Sequence, residues 1–451
     1  MIQQAKALAK RVIQSRIARH SSMLLIANWV TTALAMVTSF VLARLLGPTN
    51  YGLVIIAYTI VGTIVNFLDI RVGEGIVRFV GNALAREERR EAVSFFYVGV
   101  SADIALMLAT LLVSAIIAPL SARLYPEPEL VRRLVLIYLL TIPFSTLEES
   151  FTALVNVYKR FNLLASGMIL ISLCRTITLT LLAPHGLVAV MWGYVIVSAF
   201  SFVLWAVVGL WLLISNIGRL EGKIGRADYI GAWRQFLPFA FHTSVIASLK
   251  AISANVDVLL LGALRTAAEV SYFNIAHNAA TLIAIPTVPA ISVIYPELNE
   301  AWARQDTKRS KSLIRRFSLI SLAVSSACWL FLIVTADWLV WLFYGEAYAP
   351  VALLIRILGF GVVLDSVFRW VRPMAMAQNK LPIVTYYSIA TILLRIALLI
   401  PFIHYLGAVG AALTFDIIMG VMILMIVVYA MPRLGLSLLD IYGRRGDTWR
   451  S

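Results

Sequence analysis

Two stretches, "KRFNLLASGMILISLCRTITLTLLAPHGLVAV" (residues 159–190) and "NKLPIVTYYSIATILLRIALLIPFIHYLGAVG" (residues 379–410), decide how this chain is read. Aligned, they place Arg160 on Lys380 and Arg175 on Arg395 at a common offset of 220, and one inserted residue then places Gly186 on Gly407. Each stretch is an apolar run long enough to cross a bilayer, with one arginine inside it. An arginine at the centre of a transmembrane helix costs about 2.5–3.5 kcal/mol on insertion scales, so it persists only with a polar neighbour, water or a ligand to satisfy it. Finding the same costly residue twice, half a chain apart, points to an internal repeat.

The rest of the sequence agrees. Of 451 residues, 61% are hydrophobic and 14% charged, and the mean hydropathy is +0.88, the composition of an all-α polytopic membrane protein. Apolar runs of membrane-spanning length fall near 22–45, 51–80, 92–119, 131–155, 162–183, 187–215, 235–262, 267–297, 312–343, 350–371, 382–401 and 407–431, which predicts twelve transmembrane helices. The 220-residue offset divides them into two six-helix lobes. An even number of spans per lobe inserts both lobes in the same direction, so their pseudo-twofold axis runs along the membrane normal, and such transporters bind substrate at the repeat interface. The expected organisation is an amphipathic interfacial helix over 1–20, an N-lobe over 21–217, a polar cytoplasmic linker over 218–234, a C-lobe over 235–431 and a tail over 432–451.

The net charge of +15 is distributed as a topology signal. Alternate loops and the two termini carry 25 Lys/Arg on one side of the membrane, whereas the other side has five: Arg44, Arg123, Arg132, Arg133 and Arg265. Basic loops stay in the cytoplasm, so both termini are expected there, in a bacterial or archaeal cytoplasmic membrane. This placement argues against nucleic acid as a partner. The first twenty residues carry five basic and no acidic side chains, with Ile2, Leu8, Val12, Ile13 and Ile17 on one helical face, the pattern of a helix lying on anionic lipid; a transit peptide shares the charge bias. Cys174 and Cys328 fall inside apolar runs as packing residues. The scattered His185, His242, His277 and His404 show no metal-ligand pairing.

Eight basic residues remain within the spans: Arg71, Arg78, Arg175, Arg234, Lys250, Arg356, Arg369 and Arg395. Arg175 and Arg395 lie at matched depth, and two like charges related by a twofold axis would repel if packed dry. A shared, water-filled, cationic cavity resolves that conflict, with Lys250 and Arg356 as further members and a phosphate-like anion as the natural occupant. The alternative is that each arginine is fixed by a neighbouring carboxylate, with Asp103, Asp257 and Asp416 at suitable depths. Asp103, Glu148, Glu149, Asp257, Asp365 and Asp416 are all intramembrane acids, candidates for ion coupling or for ion pairing. Asp69, Arg71, Glu74 and Arg78, in "LDIRVGEGIVRF", are candidates for a cytoplasmic gate or for a solvated interfacial cluster. Pro286 and Pro289 predict a kink in the eighth span. No phosphate-binding Gly-x4-Gly-Lys-Ser/Thr loop occurs and no long outer loop could house a catalytic domain, so the expected role is transport and not catalysis, with no cofactor or metal.

The segments "RLLGPTNYGLVIIAYTIV", "DIRVGEGIVRF", "VDVLLLGALRTAAEVSYFNIA", "LFYGEAYAPVALLIRIL" and "LLIPFIHYLGAVGAAL" resemble the polysaccharide transporter (Wzx-type O-antigen flippase) family of the multidrug/oligosaccharidyl-lipid/polysaccharide (MOP) superfamily, over residues 22–431. The resemblance implies the MOP flippase fold, alternating access, and flipping of an undecaprenyl-diphosphate-linked oligosaccharide, driven by a proton or sodium gradient. Polymerase or ligase machinery for surface polysaccharide would be its partner, and a monomer is expected. A cation-coupled drug exporter of the same superfamily and a membrane glycan polymerase or ligase are the competing functions.

Overall fold

The structure, a computed structural model, describes residues 16–217 and 225–437, and these form helices and connecting turns with no strand among them. Helices are the expected outcome, since in hydrocarbon a backbone must satisfy its polar groups internally. In chain order the main elements are α1 (Arg16–Leu68), α2 (Val72–Ala85), α3 (Arg89–Ser121), α4 (Pro128–Tyr138), α5 (Ile142–Val157), α6 (Phe161–Leu182), α7 (Leu187–Ile217), α8 (Arg226–Leu264), α9 (Ala267–Thr281), α10 (Val288–Ala303), α11 (Thr307–Phe343), α12 (Pro350–Phe368), α13 (Val371–Ala377) and α14 (Leu381–Met425). The expected kink of the eighth span takes the form of a 3₁₀ segment, Leu282–Thr287, between α9 and α10, with Pro286 inside it.

Among the described residues, eight helical stretches are long and apolar enough to cross a membrane, which makes this a multi-pass membrane protein. The count falls below the expected twelve partly because two of the eight contain a reversal. At Gly47 the backbone takes φ 76°, ψ 169°, a conformation open to glycine, and Pro48 follows. Ser39 Oγ and Tyr51 OH are hydrogen-bonded at 2.9 Å across that point, whereas twelve residues of straight helix would separate them by about 18 Å. The chain therefore doubles back at Gly47. In α14 the break is Gly407, at φ 59° and ψ −135°, and beyond it Gly410 packs directly on the carbonyl of Phe402. That turn is clamped by the α8–α9 corner: Arg265 donates to the carbonyls of Ile403 (2.9 Å) and His404 (2.7 Å), and Glu269 Oε2 accepts from Ala408 N (2.8 Å).

Packing divides the chain into two compact units, one ending at Asn255 and the other beginning at Val256. The boundary falls inside α8, later than the expected start of a C-lobe at residue 235, because the first part of that helix packs into the first unit. Phe236 fills the space over Gly75, where a Cβ would lie 2.6 Å from its ring, and Tyr229 OH donates to Ser101 Oγ at 2.7 Å. The core of the first unit joins Val72, Ile76, Phe95, Phe96, Leu154 and Phe236. That of the second joins Leu298, Ile314, Phe317, Trp370, Met374 and Met431. Leu108, Leu112 and Ile116, four residues apart on α3, and Leu173, Ile177 and Leu181 on α6, are exposed stripes, as lipid-facing surfaces should be. The expected N-terminal helix and tail fall mostly outside the described residues, whereas of the expected linker residues 225–234 are described and, from Arg226 on, already belong to α8.

Candidate functional site

Arg175 is placed by α6. At 100° per residue it stands about 200° around the helix from Leu173 and Ile177, on the face opposite the lipid stripe. It shares that face with Ile171 and Leu179, which are buried, yet its own side chain is exposed. The neighbouring Thr176 ties α6 to α1 through a 2.8 Å hydrogen bond with Thr38. Arg175 forms no ion pair with a described residue; its charge reaches Glu148 on α5, Tyr138 on α4 and Tyr194 on α7. Tyr58, Tyr138 and Tyr194 cluster with ring centroids 5.6–6.5 Å apart. The first unit thus presents a guanidinium within electrostatic reach of two phenols and one carboxylate, with Tyr58 packed on those two phenols.

Arg395, its counterpart in the repeat, has a different environment. It makes a bidentate pair with Asp257 of α8, Nε to Oδ1 at 3.1 Å and a terminal nitrogen to Oδ2, with the two side chains only 12% and 4% exposed. The guanidinium carbon lies 5.7 Å from the ring centroid of Phe415, which His277 meets edge-on, and His277 stacks in turn on Phe273. Asp416 Oδ1 accepts from Gly361 N at 2.9 Å, anchoring α14 to α12. Arg356 is engaged by α11, donating to Ile333 O at 3.1 Å and pairing with Asp337, while Asp365 and Arg369 pair with each other at 2.7 Å. The Lys250 and His242 side chains lie outside the described residues.

The remaining acids gather in the first unit. Asp103 is fully buried; Ser150 donates to its Oδ2, and Oδ1 has no partner among the described residues. Glu149 Oε1 accepts from Gly73 N at 3.1 Å, an approach that needs glycine, since a Cβ there would lie 2.8 Å from Glu149 Cγ. Asp69 accepts from Arg71 N at 2.9 Å and pairs with its side chain at 3.3 Å, in the turn where α1 gives way to α2 and Arg71 takes φ 49°. From that turn α2 runs on for fourteen residues to Ala85, about 20 Å at 1.5 Å per residue. Asp69 and Glu149 together line a cavity of about 110 Å³ with Thr110, Ser145 and Thr146. Glu74 and Arg78 are exposed, and Arg78 lies over Phe239 at 4.6 Å.

Several members of these clusters were not singled out from sequence. Ser150, Thr110, Ser145 and Thr146 carry no signal in an apolar helix beyond their hydroxyls. The tyrosine triad is spread over α1, α4 and α7, and only the packing joins it. Gly73 was visible in "VGEG" as two small residues on one helix but without a partner to explain them.

Comparison with known proteins fits this architecture. The family model described as "Polysaccharide biosynthesis protein" matches residues 17–302, more than half of the chain. The lipopolysaccharide biosynthesis protein WzxC of Escherichia coli (strain K12) is 22% identical over 400 residues, covering 86% of this chain and 76% of that protein. Among solved structures, an inward-facing multidrug resistance MATE family transporter of the MOP superfamily superposes with a TM-score of 0.69 at 15% identity, covering 91% of this chain and 98% of that one. The lipid II flippase MurJ does so with a TM-score of 0.69 at 17% identity, covering 93% and 88%. The all-α fold is therefore the one shared with these solved transporters, and the chain belongs to the polysaccharide biosynthesis protein family.

Proposed function

We propose that this protein carries a polyprenyl-diphosphate-linked oligosaccharide, a repeat unit of O-antigen or another surface polysaccharide, across the cytoplasmic membrane by alternating access. Twelve spans in two six-helix lobes, with both termini cytoplasmic, form the scaffold of this reading. The observation that carries it is Arg175: a guanidinium midway along a span, turned away from the lipid stripe, exposed, and without an acidic partner among the described residues. Such a group needs an anion, and the fork of an arginine suits a phosphate. The adjoining tyrosines offer flat apolar faces and hydroxyls, as a sugar requires. The printed names of WzxC and the lipid II flippase support the substrate class.

Arg395 enters this scheme as a held reserve. While Asp257 is ionised the pair is closed, and a proton on Asp257 would loosen it. Proton or sodium coupling at Asp257, or at the Asp69–Glu149 cavity, would then tie the driving ion to anion binding. Lys250 and Arg356 are further anion contacts in this reading, while Asp103, Glu148, Asp365 and Asp416 hold the surrounding helices.

The test is surface polysaccharide in a deletion strain carrying R175A or R175K. R175A is expected to abolish it while the protein remains in the membrane, and R175K, which keeps charge but loses the fork, to restore part of it. Normal polysaccharide with R175A, or a deletion strain whose only defect is drug susceptibility, would overturn the proposal in favour of a drug exporter.

A further inference from the structure

The loops that the charge distribution assigns to the outer side carry few basic residues, so those that persist there call for a reason. Arg265 has one, since it clamps the carbonyls of Ile403 and His404. Arg132 and Arg133 do not. They line a groove of about 740 Å³ in the first unit, at the end where α4 and α7 begin, together with Glu129, Leu136, Leu140 and Trp192. Arg132 reaches Glu129 only at 3.5 Å, and Arg133 makes no ion pair with a described residue. Leu136, Leu140 and Trp192 are 41%, 44% and 45% exposed.

The spacing orders these groups. Leu136 and Leu140 follow Arg132 by one and two helical turns, so the groove runs from two guanidinium groups at its mouth to leucines about 12 Å deeper. Trp192 stands five residues into α7, where an indole sits well at a membrane interface. A charged mouth over an apolar channel matches a lipid with an anionic head. The charge selects among lipids: two arginines against one glutamate leave a single positive charge, the complement of one phosphodiester and not of a diphosphate.

We propose that this groove is a binding site for an anionic glycerophospholipid, with the phosphate held by Arg132 and Arg133 and an acyl chain laid along Leu136, Leu140 and Trp192. The proposal is independent of the transported substrate. It is tested by native mass spectrometry of the full-length protein titrated with phosphatidylglycerol, phosphatidylcholine or undecaprenyl diphosphate. Phosphatidylglycerol should bind in preference to phosphatidylcholine. Removing both charges in R132Q/R133Q should weaken it about 30-fold, as two basic contacts at an anionic head imply. E129Q should tighten it, a gain that a damaged fold would not produce. Equal retention of the two phospholipids, unchanged binding in R132Q/R133Q, no gain in E129Q, or a loss of undecaprenyl diphosphate binding in R132Q/R133Q as large as that of phosphatidylglycerol would overturn it.

Discussion

Replacing Asp257 with alanine takes from Arg395 its buried carboxylate partner. The pair is almost wholly removed from solvent, at 12% and 4% exposure, and both oxygens of Asp257 are used. Phe415, at 5.7 Å, stays behind as the nearest aromatic face, and a cation–π contact of that kind contributes only about 0.5–2 kcal/mol. Removing one partner of a buried pair costs about 3–5 kcal/mol, because an uncompensated charge is left in a low-dielectric setting. For a unit of about 200 residues, that corresponds to a fall of about 6–20 °C in the unfolding midpoint. Replacing both members with apolar residues, D257L/R395M, removes that charge as well and should recover most of the loss, since such exchanges are often neutral or stabilising. Thermal unfolding of the purified protein in detergent, followed by intrinsic fluorescence through a double-mutant cycle, measures the coupling. Additive single-mutant effects, or a D257A midpoint within about 2 °C of wild type, would refute the account, because a solvated pair contributes about 0–1 kcal/mol.

Other substitutions probe the same structure. R175A should leave the unfolding midpoint nearly unchanged while the proposed function expects it to abolish transport, because Arg175 has no ion pair among the described residues to lose; a drop comparable with D257A in the same fluorescence assay would contradict the environment assigned to it. Gly407→Ala combines a positive φ of 59° with a clash against Glu269, displacing the carboxylate that holds Ala408 N, and should cost about 3 kcal/mol from backbone strain and the lost bond; an unaltered melting curve would count against that turn. Gly73→Ala drives a methyl to 2.8 Å from Glu149 Cγ and should cost about 1–3 kcal/mol as an overpacked contact, with G73A/E149A regaining part of it in the same assay.

Much of the architecture is written in the order of residues, and the reason is the solvent. Hydrocarbon offers no hydrogen bonds, so a long apolar run has little choice but to be helical, and hydropathy alone located the stretches that the structure shows as helices. The turns at Gly47 and Gly407 fall between or at the edge of the predicted runs, though neither was read as a turn from sequence; only glycine takes their positive φ readily. The repeat that aligns Arg175 with Arg395 needed no coordinates.

What the two arginines do depended on the tertiary structure. Nothing local distinguishes them: each sits in an apolar helix at the same repeat position. Arg395 is closed because α14 packs where Asp257, 138 residues earlier, can reach it, whereas Arg175 has two tyrosines and a carboxylate only at longer range. Likewise residues up to 234 read as a linker and those from 235 as a second lobe, yet Phe236 packs in the first unit, because Gly75 leaves a ring-sized space for it. Helix formation is a contest between a segment and its solvent, which the segment's own composition settles. Whether a charge is paired or exposed is a contest among distant side chains for one small volume, and only the packed chain settles that.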